Sequence, residues 1–360
     1  SFHSNWKETG FLALASSGVT SLGETKVVLL STSAFLVSAE AVNQHLISNQ
    51  KDIWLHLLPD FHVGGLGIWA RSALSGARVV KPLNWIWSAK SCRDLLLESK
   101  ATLMSLVPTQ VFDLVQKRMR APQSLRAVLV GGGSLASSLY EEARSLDWPL
   151  LPSYGLTECC SQVATAALDS LNSFSMPNSW SLLPHIRASK NNESVLSLCS
   201  DSLLKGYFHV SGEDWTWLDP KVQGWYATQD LVDLNDTQLK FLGRKDDQIK
   251  ILGELVSLGF LEKRLLEISR SMGFGQDLAL TALPHPRRTW ELIIVFSQKE
   301  FGLHQIERLR ETFNQGLLPF EQVERVQGLP LLERSSLGKV LRHQLTKRLD
   351  QILLKPKGNV

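Results

Sequence analysis

The sequence is poor in cysteine, in net charge and in long apolar runs, and each shortage excludes a class of protein. Its four cysteines (Cys92, Cys159, Cys160 and Cys199) form no C-x-x-C pair and no metal-ligand spacing with histidines. That usage favours a reducing compartment over a disulfide framework or a zinc module. The 38 lysines and arginines exceed the 35 aspartates and glutamates by only three, which is too small a bias to indicate a nucleic-acid partner. No apolar run approaches the roughly 20 residues that a helix needs to cross a bilayer.

What is present is typical of a folded chain. Hydrophobic residues make up 44% of the 360 positions and charged residues 20%, which argues against disorder. At about 150 residues per domain, this length favours two or three domains. The first ten residues are polar and lack the basic-then-apolar order of a signal peptide. We therefore expect a cytoplasmic protein of more than one domain, with no membrane insertion.

Residues 27–165 alternate short apolar runs with longer amphipathic ones, which predicts an α/β part with a mostly parallel sheet. The predicted strands are residues 27–30, 53–58, 77–80, 102–107 and 126–130, and the predicted helices are residues 34–47, 65–74, 89–98, 109–118 and 136–146. Such sheets bind ligands at the carboxyl ends of their strands.

The pattern changes after residue 180. Short strand-like pieces (residues 194–199, 215–218 and 239–242) between Asn, Asp, Gly and Pro predict an antiparallel β part over residues 180–242. The charged residues 243–250 then form a boundary. Beyond them, helices at 260–271 and 304–314 and a strand at 292–296 predict a small α+β domain. We place the domains at residues 1–245 and 246–360.

Two segments of the first domain indicate phosphate chemistry. Residues 16–26 (S-S-G-V-T-S-L-G-E-T-K) form a predicted loop of hydroxyls, glycines and one lysine, the donors that a polyphosphate needs. The spacing differs from the P-loop, and a solvated turn is the alternative. A glycine-rich strand end (131–134) and Y-G-L-T-E (154–158) offer an aromatic face, a hydroxyl and a carboxylate for a base, a phosphate and Mg²⁺. Two tight strand–helix turns are the alternative there.

Three further segments follow in order: G-W-Y-A-T-Q-D (224–230), G-R-K-D-D-Q-I-K (243–250) and R-S-S-L-G-K-V (334–340). With the two phosphate segments they resemble the ordered motif series of the adenylate-forming superfamily, which includes acyl-CoA synthetases, carrier-adenylating domains and luciferases. Residues 58–65 (L-P-D-F-H-V-G-G), 105–110 (S-L-V-P-T-Q) and 226–230 are most similar to the branch that ligates o-succinylbenzoate to coenzyme A in menaquinone synthesis.

The resemblance has departures. Val19 stands where the superfamily usually has a hydroxyl residue, Ser21 where it usually has glycine, and Gln229 where most members have glycine. Members usually carry a further subdomain before the phosphate loop, whereas about fifteen residues precede it here. We expect either a naturally compact enzyme or a fragment.

The resemblance implies adenylation of a carboxylic acid by ATP with Mg²⁺, followed by transfer of the acyl group to coenzyme A. It assigns the β- and γ-phosphates to Ser17, Thr20, Ser21 and Lys26. It assigns the metal ion to Glu158 and the α-phosphate to Thr157. The adenine base is assigned to Tyr154 beside Gly132, and the ribose to Asp230 and Arg244. It assigns catalysis of adenylation to Lys339, a hinge to Asp246, the acyl pocket or thiol path to His62, and the second carboxylate of the acid to Arg71 and Ser105.

Plainer interpretations stay open for several of these residues. Lys339 is otherwise a solvated lysine, Asp246 a linker residue, His62 a core histidine and Arg71 an arginine on an amphipathic helix face. For the whole chain the alternatives are another acyl-CoA synthetase, a carrier-adenylating enzyme, or a nucleotide-binding scaffold without turnover. The partners implied are small molecules, and the sequence does not indicate an oligomeric state.

Overall fold

The computed structural model describes residues 10–19, 25–211, 214–245, 247–252, 254–285, 289–335 and 340–353. The described residues form two compact units. One contains the residues up to Thr228 together with Val232–Phe241, and the other contains Gln229–Leu231 and the residues from Leu242 onward.

The chain from Gly10 to Lys245 contains these strands: β1 (Phe11–Val19), β2 (Thr25–Ser31), β3 (Ile53–Leu55), β4 (Arg78–Val80), β5 (Leu103–Leu106), β6 (Ala127–Val130), β7 (Leu150–Leu156), β8 (Ser161–Thr165), β9 (Trp180–Leu182), β10 (Arg187–Lys190), β11 (Val195–Cys199), β12 (Gly206–Ser211), β13 (Asp214–Leu218), β14 (Tyr226–Asn235) and β15 (Gln238–Arg244). Its helices are α1 (Thr32–Leu46), α2 (Val63–Ser75), α3 (Ala89–Ser99), α4 (Pro108–Gln116) and α5 (Ser137–Ser145), with 3-10 turns at Thr157–Cys159 and Leu168–Asn172.

The parallel sheet predicted from the alternating pattern is confirmed. Strands β4, β3, β5, β6 and β7 lie side by side and all run parallel. Their side chains alternate between two cores: Trp54 packs on the α1–α2 side with Ile68, whereas the adjacent Leu55 packs on the α3–α5 side with Leu96. Burial on both faces explains the unbroken apolar runs of these strands.

The prediction that residues 27–30 belong to the parallel sheet was wrong. They form a strand, β2, but it pairs antiparallel with β1 and β12 in a separate sheet of order β1-β2-β12-β13. A parallel pair needs a crossover of a dozen or more residues, and the short connection from β1 to β2 permits only a hairpin. The predicted loop at residues 16–26 therefore shrinks, because its first four residues continue β1.

The antiparallel part is confirmed and begins earlier than predicted. Strands β8, β9, β15, β14, β11 and β10 continue the large sheet beyond β7. No α-helix follows residue 158 in this described part of the chain. Instead, the 3-10 turn ends at Cys160, whose φ of 51° is left-handed, and the chain returns as β8 against β7.

The second unit has the α+β composition predicted for it. It contains β16 (Gln248–Ile251), β17 (Glu254–Ser257), α6 (Leu258–Ser271), β18 (Leu278–His285), β19 (Thr289–Ser297), α7 (Leu303–Asn314), β20 (Arg325–Leu329) and α8 (Arg342–Leu353). Strand β19 lies between β18, antiparallel, and β20, parallel. Helices α6 and α7 pack on this sheet through Leu265, Ile306 and Phe313. No helix among the described residues combines the length and apolarity needed to cross a membrane.

Candidate active site

Three predicted motifs lie at the ends of parallel strands. Residues 131–134 follow β6, residues 154–158 run from the last residues of β7 into the first 3-10 turn, and residues 58–65 come shortly after β3. Because these strands are parallel members of one sheet, their carboxyl ends lie along one edge. Gly132, exposed in the loop after β6, has a φ of 78°, which favours glycine.

Glu158 is the centre of a polar cluster in the first unit. Its Oε1 lies 3.3 Å from Nζ of Lys26 and accepts a hydrogen bond of 2.9 Å from the hydroxyl of Tyr207. The hydroxyls of Tyr207 and Tyr226 are 2.8 Å apart. Burial, followed by the charge of Glu158, raises the pKa of Tyr207, so its hydroxyl stays protonated and donates to the carboxylate. A group able to bind a metal ion and a group able to bind a phosphate thus lie side by side.

Of the four residues assigned to the phosphates, Lys26 is the one whose side chain the structure describes. It lies in β2, and its ammonium is 3.9 Å from the centre of the Tyr207 ring, a cation–π distance. The backbone of Ser17 belongs to β1, while its side chain and the residues Thr20 and Ser21 lie outside the described part of the chain. Their assignment to the phosphates stays a prediction.

The Y-G-L-T-E segment owes its shape to a close approach between strands. A Cβ on Gly155 would lie 1.8 Å from the carbonyl oxygen of Ser161 on β8, so only glycine fits there. Tyr154 beside it is buried, and its ring stacks on Phe241 with centroids 5.8 Å apart and planes at 27°. Thr157 begins the 3-10 turn and is half-buried. The turn places the hydroxyl and the carboxylate of this motif beyond the end of β7.

Arg71 is completely enclosed. It lies on α2 and is 1% exposed, its guanidinium is 5.7 Å from the Trp54 ring, and its Nε has no hydrogen-bond partner among the described residues. No ion pair joins it to a carboxylate in that part of the chain, and burial lowers its pKa to about 10. A buried guanidinium is costly unless an anion accompanies it. The interpretation of Arg71 as a solvated arginine on a helix face is therefore wrong.

Other predicted acyl-site residues lie near the same strand ends. Ser105 is buried in β5, and His62 is the residue that precedes α2. The His62 ring is 4.6 Å from that of Phe61, which is exposed, and burial lowers the pKa of His62. The sequence thus identified the strand ends correctly, while the roles of these side chains stay predictions.

The two residues predicted to bind the ribose, Asp230 and Arg244, lie close together in the second unit. Nη1 of Arg244, at the end of β15, lies 3.3 Å from Oδ1 of Asp230, which is buried on β14. The chain reversal from β14 to β15 brings together residues that are fourteen positions apart. Asp246 and Lys339 lie outside the described residues, so the hinge and the catalytic lysine stay predictions.

Sequence reasoning missed two sets of polar residues. Tyr207 reaches Glu158, and Tyr226 reaches Tyr207, only through the pairing of strands, and nothing in the sequence links them to Glu158. The second set is His56 and Asp60, whose Nε2 and Oδ1 are 2.8 Å apart. A signal did exist for His56, since it is the one polar residue in the apolar run of residues 53–58.

The family of AMP-binding enzymes matches residues 15–192. This range includes β2, the parallel sheet and Glu158, and the later motifs follow it in the expected order. Over residues 15–192 the chain is thus similar to this superfamily of adenylate-forming enzymes.

Within the superfamily the chain is similar to 2-succinylbenzoate–CoA ligases. That of Bacillus velezensis is 28% identical over 314 residues, which are 83% of this chain and 61% of the relative. That of Bacillus licheniformis is 30% identical over 262 residues, 69% of this chain and 53% of the relative. The chain thus spans less than two thirds of the length of these relatives.

Solved structures show the same fold. The o-succinylbenzoate CoA synthetase (MenE) of Bacillus subtilis, in complex with the acyl-adenylate intermediate OSB-AMP, superimposes with a TM-score of 0.77 at 24% identity. The match covers 92% of this chain and 68% of that one. An arginine-to-lysine variant of Escherichia coli MenE with bound OSB-AMS gives a TM-score of 0.76 at 25% identity, over 97% and 71%.

Glu158 fits the demands of a magnesium ion. Mg²⁺ in nucleotide sites binds one or two carboxylates, phosphate oxygens and several waters rather than a cage of protein ligands. Among the described residues no group of three His, Cys, Asp or Glu side chains could hold a metal alone. A single carboxylate beside an ammonium suits an ion that arrives with ATP.

Proposed function

We propose that this chain activates o-succinylbenzoate with ATP to the acyl-adenylate and transfers the acyl group to coenzyme A, a step of menaquinone biosynthesis. The similarity of residues 15–192 to AMP-binding enzymes supports the reaction type. The similarity to 2-succinylbenzoate–CoA ligases supports the acid. One structural observation carries the choice of substrate class: Arg71 is a buried cation with no anionic partner among the described residues.

An aromatic acid with a second carboxylate supplies the missing anion. The planar guanidinium of Arg71 can bind a carboxylate through two parallel hydrogen bonds. Ser105, buried on β5 at the same edge of the sheet, offers a hydroxyl neighbour. A monocarboxylic acid would leave the charge of Arg71 unpaired. Because an unpaired buried charge costs free energy, the pocket discriminates against monocarboxylic acids and favours a dicarboxylic acid.

Adenylation brings a carboxylate against a polyanion, so the enzyme must provide positive charge and alignment. In this proposal Lys26 leaves Glu158 and pairs with the β- and γ-phosphates, aided by Ser17, Thr20 and Ser21. Glu158 holds the magnesium ion, which neutralises phosphate charge when bound. The Tyr207 hydroxyl, already a donor to Glu158, keeps that carboxylate oriented during the exchange of partners.

The other roles are proposed from the motif series. Thr157 donates to the α-phosphate, Tyr154 packs against the base near Gly132, and the Asp230 carboxylate accepts from the ribose hydroxyls with Arg244 beside it. Lys339 aligns the attacking carboxylate with the α-phosphate, and His62 borders the path of the thiol. Residues 246–360 form a domain that turns about Asp246 between adenylation and thiolation.

A cytoplasmic location is part of the proposal. All four cysteines are unpaired thiols, and three of them are buried. Free thiols are the usual state in reducing compartments.

Acid-dependent exchange of pyrophosphate into ATP tests the proposal. We expect exchange with o-succinylbenzoate, much less with 4-oxo-4-phenylbutyrate, which lacks the ring carboxylate, and none with a fatty acid. Adding coenzyme A should convert exchange into net formation of the thioester. Better exchange with a fatty acid would indicate another acyl-CoA synthetase, and a thioester formed only on a carrier protein would indicate a carrier-adenylating enzyme. Binding of ATP without exchange for any acid would indicate a scaffold without turnover.

A further inference from the structure

His56 is a fully buried histidine at the acyl end of the sheet. It directly follows β3, is 0% exposed, and its backbone N–H continues the ladder by donating to the carbonyl of Val80. Its ring meets that of Trp69 edge-on with centroids 5.4 Å apart. The ring is therefore fixed by its surroundings, and its two nitrogens face set partners.

One ring nitrogen is satisfied by Asp60. His56 Nε2 lies 2.8 Å from Asp60 Oδ1, and the same carboxylate accepts from Trp69 Nε1 at 2.9 Å and from the ammonium of Lys81. Burial opposes ionisation of Asp60, but these hydrogen bonds outweigh it and lower its pKa to about 2. An ionised carboxylate only accepts, so Nε2 carries the proton and donates.

The other ring nitrogen is an unsatisfied buried atom. Nδ1 of His56 is enclosed and has no hydrogen-bond partner in the part of the chain that the structure describes. Leaving such an atom unpaired costs free energy, so this nitrogen requires an explanation. Because Nε2 carries the proton, Nδ1 of the neutral ring is a bare lone pair.

The surroundings of His56 are those of the proposed acyl pocket. The carbon between the two nitrogens would lie 3.3 Å from a Cβ on Gly65, so this edge of the ring faces α2, the helix that carries Arg71. Leu55 pairs with Met104, so His56 is level with Ser105 on the neighbouring strand. Trp54 and Leu103, each two residues earlier in its strand, both pack on the α2 side. Because side chains alternate between the two faces of a sheet, His56 and Ser105 project to the α2 side too.

The charges around the ring explain its state in the free protein. Burial is the main cause that lowers the pKa of His56; the carboxylate of Asp60 acts in the opposite direction, and the cations Lys81 and Arg71 lower it further. The ring is therefore neutral when no acid is bound. A second carboxylate of the substrate beside Arg71 would place a negative charge next to that guanidinium and next to the unpaired Nδ1 of His56.

We infer that His56 takes up a proton from solvent on Nδ1 when a dicarboxylic acid binds, and then donates a hydrogen bond to the second carboxylate that Arg71 pairs with. The inference rests on the proposed function and adds a specificity residue to it. A carboxylate offers about four acceptor positions; Arg71 occupies two of them, and the Nδ1–H group takes another. Asp60 is a positioning residue that holds the ring and stabilises the imidazolium.

Calorimetric titration of the full chain with o-succinylbenzoate near neutral pH, in phosphate and in Tris, tests the inference. These buffers differ in ionisation enthalpy, so the difference in observed heat gives the protons taken up. We expect uptake of roughly one proton per acid bound, as for a histidine whose pKa rises through neutrality. The matched ligand 4-oxo-4-phenylbutyrate, without the ring carboxylate, should bind with no uptake.

Variants test whether His56 is the residue that takes up the proton. His56→Gln keeps a donor for Asp60 and should lose the uptake, with affinity for the dicarboxylic acid falling about tenfold or more. His56→Asn is the second variant, for use if the first does not fold. His45→Gln is the matched control and should keep the uptake, because the His45 ring is hydrogen-bonded at 2.9 Å to the carbonyl of Ala166, which directly follows β8. His62→Gln, which removes the other histidine of this region, should keep it too.

The outcomes separate the two proposals. Binding and exchange with o-succinylbenzoate but no proton uptake by the unmodified chain would overturn the role of His56 and leave the ligase proposal standing. Uptake that persists in His56→Gln would do the same. If no acid binds or supports exchange, the proposed function fails and the inference falls with it.

Discussion

The ammonium of Lys26 lies 3.3 Å from the carboxylate of Glu158, although 132 positions separate the two residues. Lys26 lies in the hairpin sheet, and Glu158 lies in the 3-10 turn that follows β7 of the large sheet. Both are partly shielded, with side chains 28% and 14% exposed. In the proposed reaction this ion pair breaks: Lys26 then binds the phosphates of ATP, and Glu158 binds the magnesium ion.

Glu158→Gln tests the metal-binding half of this pair. The amide keeps an acceptor for Tyr207 but loses the charge that attracts a divalent cation, so pyrophosphate exchange should fall by about 10²–10³. The magnesium concentration for half-maximal exchange should rise. Glu40→Gln, which changes an exposed carboxylate on α1, is the control and should leave both unchanged. Normal exchange in Glu158→Gln would place the metal elsewhere.

Arg71→Leu tests the recognition of the second carboxylate. Removing the partner of a buried charge costs about 3–5 kcal/mol, a hundredfold or more in affinity. The KM for o-succinylbenzoate should rise accordingly, with that for ATP and for 4-oxo-4-phenylbutyrate nearly unchanged. Arg78→Leu, at an exposed arginine of β4, serves as control. An unchanged KM for o-succinylbenzoate would remove the basis for the dicarboxylic substrate.

Lys339→Ala separates the two half-reactions. A charge aligned on the transferring phosphate is worth a few kcal/mol, so acyl-adenylate formation should fall by about 10²–10³. Thiolation of acyl-adenylate supplied from outside should continue at a similar rate. An equal loss in both half-reactions would mean that Lys339 supports structure instead.

Asp246→Pro tests the proposed hinge. Proline holds φ near −65° and restricts rotation at this position, while both domain cores keep their residues. Rapid-quench measurement of each half-reaction should show one of them slowed far more than the other. Wild-type rates in both would place the boundary at another residue.

Asp52 should make stability depend on acid pH. Burial opposes its ionisation, but hydrogen bonds from Arg126, at 2.8 and 2.7 Å, and from Thr102 outweigh burial and lower its pKa. A carboxyl whose pKa is lower in the folded state stabilises fully above its unfolded pKa of about 3.9, and the contribution is lost as pH falls through the folded pKa.

Urea unfolding of Asp52→Asn measures this contribution. The variant removes the charge that Arg126, itself 34% exposed, pairs with, and it should lose about 1–2 kcal/mol of unfolding free energy near neutral pH. The loss should shrink as the pH falls below about 3.9, where the unmodified protein forfeits the same interaction. Asp233→Asn, in an exposed pair with Lys190, is the control and should not shift the midpoint. A loss that is constant with pH would show that packing, not charge, is responsible.

The sequence by itself determined the local elements and the order of the motifs. Short apolar runs and helical apolar patterns depend on near neighbours, which is why the parallel strands and α1–α7 follow from the sequence. Tertiary structure decided which strands became partners. Residues 27–30 read as one more buried strand, yet the short connection after β1 committed them to a hairpin sheet.

Tertiary structure also decided what each polar side chain meets. Whether Arg71 is solvated or enclosed depends on Trp54 and the sheet beneath α2, and the sequence left the two near even. Tyr207 reaches Glu158, and His56 keeps a bare nitrogen near Arg71, only because strands distant in sequence lie side by side. Such contacts depend on register and burial, which are properties of the packed chain and not of any short segment of it.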